Sequence, residues 1–131
     1  MASDPQSPVA LDDLLRATRS NLRRVRPQDL REELDAGALL IDVRDSAQRD
    51  RDGEMPGAIP IDLTILEWRL APTSSSRQFD LAPEHRVILV CNQGYSSSLA
   101  AGRLQRLGLP NATDLVGGFT AWSRWRDRAE S

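Results

Sequence analysis

The chain has 131 residues, 40% of them hydrophobic and 27% charged, which suits one globular domain able to bury a core of its own. Its single cysteine excludes an intramolecular disulfide, so packing alone must hold the fold, an arrangement that suits a reducing compartment. A net charge of −2 gives no overall attraction to nucleic acid or to an anionic membrane, and the apolar runs fall far short of a bilayer span.

The small polar residues 1–7 are expected to fray. No basic start followed by an apolar run opens the chain, so no signal peptide is expected, and the predicted location is cytoplasmic. From Pro8 a helix is predicted, with Leu11, Leu14, Leu15 and Leu22 at helical spacing. All 17 Lys and Arg positions are arginine, and Arg16, Arg19, Arg23, Arg24, Arg26 and Arg31 crowd this early segment. With acids interspersed they read as a solvated helix face, and no interleaved aromatics argue for RNA. Residues 23–25 suggest a short edge strand. "PQDLREELDAG" (27–37) reads as a helix with Pro27 at its first position and Gly37 as its stop.

"ALLIDV" (38–43) is too short and too uniformly apolar for a surface helix and fits a strand covered on both faces. Residues 44–57 are charged and end in Pro-Gly, which suggests a loop or short exposed helix. "AIPIDL" (58–63) resumes as a strand, "TILEWRL" (64–70) as a helix, and residues 71–85 are rich in turn formers. "RVILVC" (86–91) is the second strongly apolar strand. A helix follows over 97–107 with Ala100, Ala101, Leu104 and Leu107 on one face, ended by Gly108 and Pro110. "ATDLVG" (112–117) reads as a strand and 117–130 as a closing helix. Helices alternating with apolar strands predict an α/β domain around a mainly parallel sheet, whose ligands collect at the carboxyl ends of the strands.

Cys91 lies at that end of the most apolar strand, before "NQGYSSS" (92–98). A polar glycine loop opening a helix offers inward-facing amides and a partial positive charge, both of which favour a thiolate. A cysteine after four apolar residues is as readily a small buried hydrophobe. On these residues alone, inert thiol and nucleophile stay balanced. The one histidine, His85, has no evident partner and reads as structural.

Four separated motifs carry a family resemblance: "LLIDVRD" (39–45), "GEMPGAIPI" (53–61), "VILVCNQGYSS" (87–97) and "LVGGFTAW" (115–122). In their order and spacing they resemble the single-domain rhodanese-like sulfurtransferases over residues 23–127. That resemblance implies a three-layer fold, a rhodanese-like domain over 23–131 and an N-terminal extension with an amphipathic helix over 1–22. It implies that Cys91 takes a sulfane sulfur from thiosulfate or a persulfide and passes it to a thiol or cyanide. The amides of Asn92, Gln93, Gly94, Tyr95, Ser96 and Ser97 would bind the sulfur anions, and Asp42 with Arg44 would brace the site. No metal or organic cofactor is implied. The partners implied are a small sulfur-donor anion or persulfide protein and a thiol acceptor, with no nucleic acid and no membrane.

The sequence departs from the pattern in two ways. Asn92 and Gln93 supply no cation beside the cysteine, and Glu54 stands where the family usually has histidine. Arg69 and Arg49 are therefore the candidates for an active-site cation, and thiosulfate is expected to be a poor donor beside a protein persulfide. Related cysteine phosphatases need an arginine six places after the cysteine, where this chain has Ser97. The alternative function is a non-enzymatic interaction module or thiol redox sensor built on the same domain.

Overall fold

The two apolar runs form neighbouring central strands, each too short and too hydrophobic to face water on either side. The computed structural model describes residues 7–131, so the expected fraying of 1–7 falls almost wholly outside the described residues. In chain order the elements are α1 (Leu11–Arg19), a 3-10 turn (Pro27–Asp29) leading into α2 (Leu30–Asp35), β1 (Leu39–Asp42), α3 (Ser46–Asp52) and β2 (Ile59–Pro60). A second 3-10 turn (Leu63–Ile65) then leads into α4 (Leu66–Leu70), followed by β3 (Val87–Val90), α5 (Ser96–Arg106), β4 (Thr113–Asp114) and α6 (Gly118–Glu130).

The sheet order is β2-β1-β3-β4 and every pairing is parallel. β1 and β3 align Leu39 with Val87 and Asp42 with Val90. The segment read as an edge strand at 23–25 contributes one parallel bridge, Val25 to Leu115, just beyond β4. Alternate residues of β3 serve two cores, as a period of two requires. Val87, Leu89 and Cys91 pack with Leu66, Leu70, Ala100, Ala101 and Leu104 on the α4–α5 side. Ile88 and Val90 pack with Leu30, Leu115, Phe119 and Trp122 on the α2–α6 side. The result is the three-layer α/β fold with helices on both faces of the sheet.

Local chemistry explains the shorter elements. Asp45 accepts from the Gln48 amide at 2.8 Å and the Gln48 side chain accepts from the Asp45 amide, a capping box that makes a short helix of the charged segment after β1. Asp62 caps the second 3-10 turn through Thr64. Residues 71–86 form no helix or strand, yet Phe79 and Leu81 pack against the α4–α5 core.

Three of the leucines at helical spacing lie outside the core. Leu15 and Leu22 are buried, but Leu11 and Leu14 are 68% and 46% exposed, because α1 rests on α5 through a narrow face. That approach is close: a Cβ on Gly102 of α5 would stand 2.6 Å from Thr18 Cγ2. Leu107 follows the last turn of α5 and also faces solvent. Among the described residues, no helix is long and apolar enough to cross a membrane.

Candidate active site

Cys91 is the first residue after β3, so the sheet delivers its sulfur to the carboxyl edge while the N-terminus of α5 stands five residues further on. The Gly94 amide donates to Sγ at 3.1 Å, and the thiol lies 3.1 Å from Ser97 Oγ, to which it donates. The tight path depends on glycine: Gly94 has φ +83°, and a Cβ there would stand 2.7 Å from the Gly117 nitrogen. Gly118 in turn lies directly against the carbonyls of Cys91 and Asn92. The first amides of α6 grip the back of the loop, Phe119 donating to Cys91 O at 2.9 Å and Thr120 to Asn92 O at 3.0 Å. The glycine of the cysteine loop and the Gly-Gly pair before α6 are thus two sides of one backbone contact.

A polar cluster lies behind the loop. Asp114 at the end of β4 accepts from Ser97 Oγ and Ser98 Oγ, both at 2.7 Å, on a single oxygen, Oδ2. Arg24 donates to its Oδ1 at 2.8 Å and Oδ2 at 3.2 Å, with the arginine side chain only 17% exposed. Arg24 also reaches Gly94 O at 3.2 Å, and Arg19 of α1 donates to that carbonyl at 2.7 Å and to Ser98 Oγ at 3.0 Å. Ser97, Ser98 and Asp114 are fully buried.

In front of the loop is an open cleft of about 560 Å³. Asn92, Gln93, Tyr95 and Ser96 line one side of it, and Asp45, Gln48, Asp62 and Thr64 are among the residues on the other. Its one arginine, Arg44, is buried, and all of its guanidinium but Nη1 is committed to other partners. The guanidinium bonds both oxygens of Asp42, with the shortest contact at 2.8 Å, donates to Gly53 O at 2.9 Å and stacks 4.1 Å over the Phe119 ring. The exposed carboxylates of Asp45 and Asp62 are therefore the charges the cleft presents to solvent.

Burial is the largest single influence on the Cys91 thiol and pushes its pKa up. In the ionised form, hydrogen bonds accepted from the Ser97 hydroxyl turned toward sulfur, the Ser97 amide, the Ser96 hydroxyl and the Gly94 amide outweigh it, and the pKa falls below the ordinary value of 9.0.

Of the residues nominated from the sequence, Asn92, Gln93, Tyr95 and Ser96 line the cleft with Cys91, while Gly94 and Ser97 touch the sulfur from behind. Asp42 and Arg44 form the buried ion pair beneath it. The two candidate cations are not brought to the cleft. Arg69 lies on the exposed side of α4, opposite the buried Leu66 and Leu70, and donates to Ser76 O at 3.3 Å. Arg49 donates to Arg44 O at 2.6 Å. His85 precedes β3 at the opposite end of the sheet and closes a turn through Ala82. The charges that do reach the loop, Arg19 and Arg24, belong to the segment read as a solvated face. Their signal in the sequence was the arginine crowding itself, but only the tertiary fold shows which arginines turn inward. Among the described residues, no group of three or more His, Cys, Asp or Glu side chains is placed to hold a metal ion.

A lone cysteine at the carboxyl edge of a parallel sheet, its sulfur facing the amides and hydroxyls of a helix-opening loop, defines an α/β domain with a cysteine-centred anion loop. The chain belongs to the rhodanese-like domain family, whose profile matches residues 26–124. It is 29% identical over 103 residues to the thiosulfate sulfurtransferase GlpE of Stutzerimonas stutzeri, covering 79% of this chain and 86% of that protein. It is 32% identical over 108 residues to the adenylyltransferase and sulfurtransferase MOCS3 of Oryza sativa subsp. japonica, covering 77% of this chain but only 24% of that longer protein. A solved structure from Rhodopseudomonas palustris, a protein of unknown function described as a possible tyrosine phosphatase, superposes with a TM-score of 0.77 at 27% identity and covers 97% of each chain. The matched family region begins after α1, whereas this last similarity takes in nearly the whole chain.

Proposed function

We propose that this protein is a sulfurtransferase that carries sulfane sulfur as a persulfide on Cys91. The observation that supports this reading best is the placement of Sγ, 3.1 Å from both the Gly94 amide and Ser97 Oγ at the edge of an open cleft. A thiolate there attacks the outer sulfur of a donor persulfide R–S–S⁻; the S–S bond breaks, R–S⁻ leaves and takes a proton, and Cys91–S–S⁻ remains. An acceptor thiolate then attacks that outer sulfur, gaining it and releasing the Cys91 thiolate. No net oxidant or reductant is consumed. The Gly94 and Ser97 amides, with the Ser96 and Ser97 hydroxyls, lower the cost of the anionic sulfur's charge in a partly desolvated site.

The preferred donor in this reading is a persulfide rather than thiosulfate. Asp45 and Asp62 present negative charge to the cleft, and Arg44 is neutralised by Asp42, so a dianion meets repulsion without an exposed counter-charge. The same geometry counts against phosphatase chemistry. The sixth position after the cysteine holds Ser97, whose hydroxyl is committed to Asp114 and offers no bidentate cationic cradle for an oxyanion.

The test is intact mass spectrometry after incubation with a small-molecule persulfide and, separately, with thiosulfate. A stable adduct of one sulfur atom is expected with the persulfide, a weaker one with thiosulfate, and none in Cys91→Ser. Absence of the adduct with both donors overturns the proposal, and ready oxygen addition from peroxide in its place would favour the sensor reading.

A further inference from the structure

Ser97 has one hydroxyl proton and two neighbours that can use it. Asp114 Oδ2 accepts it at 2.7 Å, a charge-assisted bond in a fully buried setting. With its proton turned that way, Ser97 offers Cys91 only lone pairs, which suit a thiol S–H at 3.1 Å and oppose a thiolate. Ionising Cys91 requires the hydroxyl to turn toward Sγ and leave the carboxylate. Asp114 tolerates that loss, because Ser98 at 2.7 Å and Arg24 at 2.8 Å still satisfy it.

We propose that Asp114 is a positioning residue that sets the ionisation of Cys91 by competing with the sulfur for the Ser97 proton. The inference rests on the sulfurtransferase reading for its purpose: in each cycle Cys91 passes through thiol, thiolate and a persulfide whose inner sulfur is uncharged. One hydroxyl that accepts from the thiol, donates to the thiolate and returns to Asp114 in the persulfide leaves no buried polar group unpaired at any stage. The tighter Asp114 holds the hydroxyl, the higher the pH at which Cys91 ionises.

The other charges around the relay are few. Arg24 faces Asp114 directly from the segment after α1, and Arg19 reaches it only through Ser98. Cys91 faces Asp45 and Asp62 across the cleft, and Arg44 is paired with Asp42. None of these is changed in the variants below.

The experiment is the pH dependence of iodoacetamide alkylation in the full chain, where Cys91 is the single thiol. Asp114→Asn weakens the competing acceptor and is expected to lower the alkylation midpoint by about one pH unit. Ser98→Ala removes the second hydroxyl from the same carboxylate oxygen, strengthens its hold on Ser97 and is expected to raise the midpoint. Ser97→Ala removes the donor and raises it further, and in that background the shift from Asp114→Asn is expected to shrink. An Asp114→Asn midpoint that is unchanged or raised overturns the relay, as does a shift equally large in the Ser97→Ala background, which would assign it to the direct field of the carboxylate. Ser98→Ala removes no buried charge, so if Asp114→Asn fails to fold, a Ser98→Ala midpoint that does not rise still overturns it. Alkylation needs no sulfur donor, so these outcomes are independent of whether the persulfide adduct forms.

Discussion

Cys91 owes its chemistry to groups that sequence distance hides and folding collects: an amide three residues on, a hydroxyl six on and a carboxylate from the next strand. The hydrogen bonds offset burial and leave the folded thiol more acidic than its unfolded counterpart. The sign of the linked stability follows. A depressed acid contributes stability that is fully present above the unfolded value of 9.0 and is lost as pH falls through the lower folded value. Comparing urea midpoints of the wild type and Cys91→Ala isolates this effect, because the remaining ionisable groups cancel in the difference. The advantage of the wild type is expected to grow as pH rises toward 9.0 and then level off. A difference independent of pH would mean that the hydrogen bonds do not outweigh burial.

At the scale of elements, α1 does more than cover α5. Its last residue, Arg19, makes the shortest bond to the Gly94 carbonyl, and Arg24 shares the same oxygen at 3.2 Å. Two charged donors on one carbonyl fix the plane of the peptide that leads into α5. Arg19→Ala is expected to cost about 1–2 kcal/mol, the low end for a hydrogen bond from a charged group because the site is partly solvated. Faster amide exchange across residues 94–98 and slower persulfide formation should accompany the loss. Exchange that is unchanged in the loop would reduce α1 to a surface cover. Which parts of this were legible in the sequence follows from the range of the interactions. "ALLIDV" and "VILVC" announce buried strands because the signal is local composition, and Cys91 before a glycine loop announces a possible anion site for the same reason. Arg19, Arg24 and Asp114 meet across roughly 70 to 90 residues of chain, and nothing in an arginine-rich helix distinguishes the side chain that turns inward from those facing water. Leu11 and Leu14 share helical spacing with the buried Leu15 yet face solvent, for the related reason that such spacing marks an apolar face without saying how wide its partner is.

For the whole molecule, a net charge of −2 matters less than where the charges stand. The one arginine lining the cleft, Arg44, is buried and paired, two further arginines hold the loop from behind, and the open side of the cleft carries Asp45 and Asp62. Such a field discriminates between donors by charge. In a water-like dielectric, a unit charge about 8 Å from a dianion is worth about 1 kcal/mol, which is about fivefold in rate. Asp62→Asn keeps a residue able to cap the 3-10 turn through Thr64 while removing that charge. Its kcat/KM for thiosulfate is expected to rise about fivefold at low salt and to converge on the wild type as ionic strength shortens the screening length below about 8 Å. A neutral or singly charged persulfide should gain less, and Arg69→Ala, whose guanidinium faces Ser76 O away from the cleft, should alter neither donor. Equal gains for both donors would locate the effect of Asp62 in the shape of the cleft, and the electrostatic account of donor choice would fall with it.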